Sequence, residues 1–174
     1  FNYSSLSYRR KLVNRFMKSI ANHKDGFVEI ICNETGKKKV EAITEVFIVL
    51  EHLKQLSNHL YEGLGKQSRR VGILLTRKVW VEYEPMGVAA IISPWNYPLI
   101  LTMSPLIEAI LAGNTVVLKS SEQTPLTTKL LKEVWDKSTL NPDLFQPVYG
   151  GGDLGSSLVK SKQTDLICFI GSTK

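Results

Sequence analysis

The 174-residue sequence predicts an α/β protein in which N-terminal helices precede a parallel sheet. Three observations lead there. Apolar residues recur at helical spacing through residues 5–66, short apolar runs alternate with helical patterns from Gly87 onward, and glycines and prolines punctuate the boundaries. Hydrophobic residues make up 43% and charged residues 22%, a composition that supports a packed core and argues against disorder.

In chain order, Leu6, Leu12, Val13, Phe16 and Ile20 mark the first helical stripe. Asn33, Glu34, Thr35 and Gly36 read as a helix end, with Gly36 suited to the left-handed position after the last turn. A longer amphipathic helix carries Val40, Ile43, Val46, Phe47, Leu50, Leu53 and Leu56, and ends near Gly63. Residues 63–76 form a basic connection. Residues 77–84 alternate as a strand, with Val79, Val81 and Tyr83 on one face, and Pro85 ends it.

Val88 to Ile92 is a continuous apolar run, as in a strand buried on both faces. A helix should follow Pro98 and stop at Gly113, and Thr115 to Leu118 is the next strand. Thr124 and Pro125 supply an N-cap and a first-turn proline for a helix running to Lys137. Phe145 to Val148 is a weaker strand, Gly150 to Ser157 opens a further helix, and Asp165 to Ile170 is a fourth strand. Short strands with intervening helices imply a parallel sheet with right-handed crossovers.

The net charge of +6 and pI near 9.3 raise the question of nucleic acid. The basic residues are scattered, as Arg9-Arg10-Lys11, Lys37-Lys38-Lys39, Arg69-Arg70 and Arg77-Lys78, without interleaved aromatics or a zinc-ligand pattern. They read as solvated helix faces and loops, with an anion-attracting surface as the alternative. No nucleic-acid partner is expected. Cys32 and Cys168 sit in apolar runs and lack disulfide or metal spacing, so both read as buried thiols of a reducing compartment, and no metal is expected. With no apolar run near the ~18 residues of a membrane span and no signal core, a cytoplasmic location follows as the expectation. His23, His52 and His59 lie in the helical segment without a carboxylate-rich partner set, and no Ser-His-Asp arrangement is expected.

Ser93, Pro94, Trp95, Asn96, Tyr97 and Pro98 follow a buried strand, at the carboxyl end of a parallel sheet where ligands bind in such folds. Two prolines stiffen the turn around Asn96, whose NH₂ can donate to a developing oxyanion without carrying charge. A turn with a buried Trp95 and a backbone-bonding Asn96 accounts for the same spacing. Gly150, Gly152 and Gly155 match Gly-x-Gly-x-x-Gly, but no acidic residue ends the next strand, where Ile170 stands. These glycines read as a strand-to-helix turn rather than a pyrophosphate cradle.

Four blocks resemble the aldehyde dehydrogenase family in order and spacing: Glu84-Pro85-Met86-Gly87-Val88, Ile92-Ser93-Pro94-Trp95-Asn96-Tyr97-Pro98, Ala112-Gly113-Asn114-Thr115-Val116-Val117-Leu118-Lys119 and Phe169-Ile170-Gly171-Ser172-Thr173. The resemblance covers most of the chain, and Tyr97 with the 79–84 strand is similar to the semialdehyde, fatty-aldehyde and class 3 branch. It implies a Rossmann-like NAD-binding domain over 87–174, incomplete relative to the family, preceded by a helical segment (1–76) and a strand of the oligomerisation flap (77–86). It further implies that Asn96 holds the aldehyde oxygen, that Lys119 and Glu122 contact the adenosine ribose, and that Ser93, Pro94, Trp95, Gly152, Gly171 and Ser172 line the cofactor site.

A carboxylate at Glu122 accepts from a free ribose 2′-OH and repels a 2′-phosphate, so NAD is expected over NADP. Where the family has Lys-Pro-Ser-Glu, this chain has Lys119-Ser120-Ser121-Glu122, which frees one backbone torsion without removing a chemical group. The reaction the resemblance implies oxidises an aldehyde to a carboxylic acid, in an enzyme expected to be a homo-oligomer. It needs a nucleophilic cysteine and a base-activated water. Neither Cys32 nor Cys168 matches the family's nucleophile, so this chain alone is expected to be inactive. A non-catalytic nucleotide-binding or interaction module of the same fold is the alternative.

Overall fold

The computed structural model describes residues 5–70, 72, 77–138 and 141–172. Three helices come first: α1 (Leu6–Asn22), α2 (Lys24–Thr35) and α3 (Lys39–Leu64). Gly36 ends α2 in the left-handed conformation (φ 70°), as its sequence position predicts. A short hairpin follows, β1 (Gln67–Arg69) paired antiparallel with β2 (Val79–Val81). The expected strand is therefore shorter than residues 77–84, and its partner lies inside the segment read as a connection. Residues 71 and 73–76 of that connection lie outside the described residues.

The remaining elements alternate: β3 (Val88–Ile92), α4 (Ile100–Leu111), β4 (Thr115–Lys119), α5 (Pro125–Lys137), a 3₁₀ turn (Pro142–Leu144), β5 (Phe145–Val148), α6 (Gly152–Lys160) and β6 (Leu166–Phe169). The four strands pair in parallel in the order β5-β4-β3-β6, so the fold is an incomplete Rossmann-like α/β sheet with helices. In the central strand β3, Ala89, Ala90 and Ile91 are fully covered, as a continuous apolar run requires. One buried apolar cluster runs from Leu12 on α1 to Phe145 on β5, with Phe16, Trp135 and Phe145 in edge-to-face contact at its centre.

Two expectations about helices are corrected. On α3 the buried stripe is Ala42, Glu45, Val46, Val49, Leu53, Ser57 and Leu60, whereas Val40, Ile43 and Phe47 are exposed. Apolar residues occupy more than one side of α3, so periodicity alone could not choose the face. At α5, Thr124 makes no side-chain cap hydrogen bond, and its buried Oγ1 has no partner among the described residues. The cap comes from α2 instead: the Glu34 carboxylate accepts from the N–H groups of Leu126 and Thr127 and from the Thr127 hydroxyl.

Arg9 corrects the reading of its basic run. It lies buried in the α1 stripe, and its guanidinium donates to the Leu111 carbonyl at the end of α4 (3.0 Å). Gly113 lets it approach: φ is 98°, and a Cβ there would meet the guanidinium at 2.8 Å.

Candidate active site

In a parallel sheet the loops leaving the carboxyl strand ends converge on one rim, and here β3, β4 and β6 deliver their loops to neighbouring positions. Ile92 pairs in register with Lys119 on one side and Phe169 on the other. The 93–98 turn leaves β3 from this point. Ser93 is buried, its N–H donates to the Lys119 carbonyl (3.1 Å), and its hydroxyl lies 2.8 Å from that of Thr102 on α4. Its side chain thus ties the turn to α4 rather than lining a cleft.

Trp95 is 49% exposed, so a buried Trp does not explain this turn. The other part of that alternative holds: the Asn96 Oδ1 accepts from the Tyr97 N–H (3.1 Å). With Oδ1 engaged there, the Asn96 NH₂ has no protein partner among the described residues. Asn96 lines a cleft together with Pro94, Trp95, Leu101, Gly171 and Ser172. The β3 turn and the segment after β6 therefore meet around an uncharged hydrogen-bond donor. Thr173, the last residue of the fourth resembling block, lies outside the described residues.

A second cleft opens beside the first, bordered by Ile92, Lys119, Gly152, Gly155, Ser156 and Phe169. Lys119 is almost fully buried, and its ammonium reaches the exposed Glu122 carboxylate at 3.0 Å. The Glu122 carboxyl is held below the usual carboxylate range, chiefly by its own backbone N–H and then by the hydrogen bond and charge of Lys119. The intervening loop holds Ser120 Oγ, a buried hydroxyl with no partner among the described residues. Gly152 begins α6 and Gly155 faces Ile92, where an added Cβ would stand 3.7 Å from Cδ1. The glycines thus bring a helix close to the strand end, as a strand-to-helix turn.

Of the positions singled out from sequence, Pro94, Trp95, Asn96, Gly171 and Ser172 share one cleft, while Lys119 and Gly152 share the other with Glu122 at its edge. Sequence reasoning missed Ser156, Val159 and Lys160, which also line the second cleft. The available signal was helical spacing: residues 152, 156 and 160 fall on one side of α6.

The remaining candidates are set apart from these clefts. Cys32 lies on α2 and Cys168 in β6, and both are partly rather than fully buried. Of the three histidines, His23 Nδ1 meets the Ser19 carbonyl oxygen at 2.8 Å, and His52 and His59 each have a single carboxylate neighbour. His59 Nδ1 is 2.9 Å from Glu62, and His52 Nε2 is 3.3 Å from Glu108 and 2.8 Å from Ser104 Oγ. In the latter cluster the acid and the hydroxyl meet the same ring nitrogen, which is not the arrangement that activates a serine. No group of three or more His, Cys, Asp or Glu side chains that could hold a metal occurs among the described residues. No helix among them is long and apolar enough to cross a membrane.

The sequence matches the description "Aldehyde dehydrogenase family" over residues 1–174. It is 32% identical over 170 residues to the N-succinylglutamate 5-semialdehyde dehydrogenase of Chromohalobacter salexigens, covering 98% of this chain and 34% of that protein. It is likewise 32% identical to N-succinylglutamate 5-semialdehyde dehydrogenase 1 of Caulobacter vibrioides, over 97% of this chain and 35% of that protein. Among solved structures it superposes on an NAD-dependent aldehyde dehydrogenase from Sinorhizobium meliloti with a TM-score of 0.89 and 29% identity, over 98% of this chain and 34% of that one. The chain spans about a third of the length of the relatives it matches.

Proposed function

The chain belongs to the aldehyde dehydrogenase family, and on that premise we propose that it forms the cofactor-binding part of an enzyme that oxidises an aldehyde to a carboxylic acid with NAD. The observation that carries the reading is Asn96. Its NH₂ has no protein partner among the described residues, and it stands at a carboxyl strand end in a cleft shared with Gly171 and Ser172. An uncharged donor in that position stabilises negative charge as it grows on an aldehyde oxygen and needs no proton transfer of its own.

The neighbouring cleft suits a dinucleotide. The Glu122 carboxylate accepts from ribose hydroxyls, Lys119 donates to them, and Gly152, where α6 begins, lines the same cleft without a side chain to fill it. Pro94, Trp95, Gly171 and Ser172 border the nicotinamide side, with Ser93 holding the main chain of the turn in place. The nicotinamide, when bound, supplies the hydride acceptor. Cys168 is a poor nucleophile, because burial, reinforced by the charge of Glu108, raises its thiol above the ordinary range. The 174-residue chain by itself is expected to turn over no aldehyde. In the active enzyme the cysteine and the base would come from sequence other than these residues. The relatives named as semialdehyde dehydrogenases make a semialdehyde the first substrate class to test.

In an active enzyme carrying this segment, Asn96→Ala should lower turnover about 10²–10³-fold while leaving the NAD dissociation constant nearly unchanged. An unaltered turnover number removes the oxyanion role. Direct titration should also show NAD binding more tightly than NADP, because Glu122 repels a 2′-phosphate. The reverse order would sink the assignment of Glu122.

A further inference from the structure

The 93–98 turn leads straight into α4, and the start of that helix lacks a local cap. Leu99 occupies the N-cap position, where a serine, threonine, asparagine or aspartate would normally accept from the first N–H groups. Those groups are satisfied from α3 instead. Glu45 Oε1 accepts from the N–H of Leu99 (2.8 Å) and of Ile100 (3.2 Å), although Glu45 lies 54 residues away from Leu99 in sequence. The Glu45 side chain is 0% exposed, so its charge needs a partner. Lys37, in the link between α2 and α3, supplies it through a 3.0 Å contact to Oε2.

The same Lys37 ammonium sits 3.5 Å from the centre of the Tyr97 ring, in a cation–π contact. Tyr97 is the residue whose backbone N–H orients the Asn96 amide through Oδ1. A continuous series of contacts therefore runs from Asn96 to Tyr97, to Lys37, to Glu45 and back to the first turn of α4. Ser93 and Thr102 tie the opposite end of the turn to the same helix.

We propose that Lys37 and Glu45 are positioning residues for Asn96: Glu45 sets where α4 begins, and Lys37 both neutralises Glu45 and pins Tyr97. Neither touches the reacting atoms. Their effect on the reaction passes through the placement of the Asn96 NH₂, and the inference rests on the oxyanion reading of that residue. A displaced donor costs rate because the stabilisation depends on sub-ångström geometry at the growing charge.

The test is a double-mutant cycle in the intact enzyme, with turnover, the aldehyde KM and the NAD dissociation constant measured for each variant. Lys37→Met should lower turnover about tenfold with NAD affinity unchanged, and Lys37→Arg, which keeps the charge over the ring, should restore most of it. In an Asn96→Ala background, Lys37→Met should cause no further loss beyond about twofold. Should the uncompensated Glu45 prevent folding, the Lys37→Met/Glu45→Gln pair removes both charges, keeps an acceptor for Leu99 and Ile100, and should show the same loss. Full turnover in Lys37→Met, or in the paired variant, beside a damaged Asn96→Ala enzyme overturns the inference alone. So do losses that simply multiply in the cycle. Full turnover in Asn96→Ala removes the catalytic reading itself and the inference with it.

Discussion

At the scale of single residues, the sequence is most legible where covalent constraint is strongest. Two prolines and a buried strand before them locate the 93–98 turn at a strand end, but spacing alone leaves open whether Asn96 serves a ligand or only the backbone; the cleft it lines includes Gly171 and Ser172. Lys37 and Arg9 sit in basic runs whose spacing implies solvated side chains, yet both are largely withdrawn from water. A lysine or arginine leaves water only when a partner meets it, and their partners, Glu45 and the Leu111 carbonyl, are distant in sequence. Cys168, expected as a buried thiol, is only partly buried, and its surroundings have a consequence that can be measured. Its raised pKa means that the neutral thiol persists to higher pH than in a free cysteine, so the thiolate is scarcer at any given pH below it. Alkylation of Cys168 by iodoacetamide at about pH 7.5 should be slower than that of a peptide thiol, and should reach half its maximal rate only above the ordinary thiol value of about 8.5. A half-maximal rate at or below about pH 8.5 would show a thiol that is not raised.

At the scale of elements, most strands and helices were found because their periodicity and punctuation are local properties. The exceptions were β1, only three residues long, the face of α3, and the cap of α5. The last two share a cause. Glu34 and Glu45 look like solvent-facing acids on amphipathic helices, yet each accepts N–H groups from the start of a helix that packs on the sheet. Only the meeting of α2 with α5, and of α3 with α4, gives them that role. The N-terminal helices are thus attached to the sheet layer by directed hydrogen bonds as well as by apolar packing. Glu34→Ala should therefore destabilise the protein by roughly 1–2 kcal/mol, since it removes the acceptor for two backbone N–H groups and a hydroxyl. The exposed Glu29→Ala on the same helix should stay within about 0.5 kcal/mol. Urea unfolding midpoints compare the two, and equal midpoints would show that the cap contributes nothing.

At the scale of the whole molecule, the two edges of the four-stranded sheet differ, and this difference was not visible in the sequence. The edge strand β5 is anchored by Phe145, which is fully buried against Trp135. On the other edge, β6 pairs with β3 alone among the described residues, and Leu166, Ile167 and Phe169 are 40%, 41% and 59% exposed. Sequence patterning registered β6 as an apolar strand but could not say how many neighbours would cover it. An apolar strand with a free edge offers both unpaired backbone groups and dry surface to another copy of the chain. The 174-residue chain should accordingly associate as its concentration rises, with sedimentation velocity showing species heavier than the monomer. Ile167→Lys places a charge on the exposed edge and should shift the distribution back towards monomer without changing the helical signal in circular dichroism. If the unmodified chain sediments as a monomer at every concentration, the β6 edge is not the adhesive surface its composition implies. If it associates and Ile167→Lys has no effect, the contact lies elsewhere. The exposed Val79 and Trp80 of β2 would then be the next surface to charge.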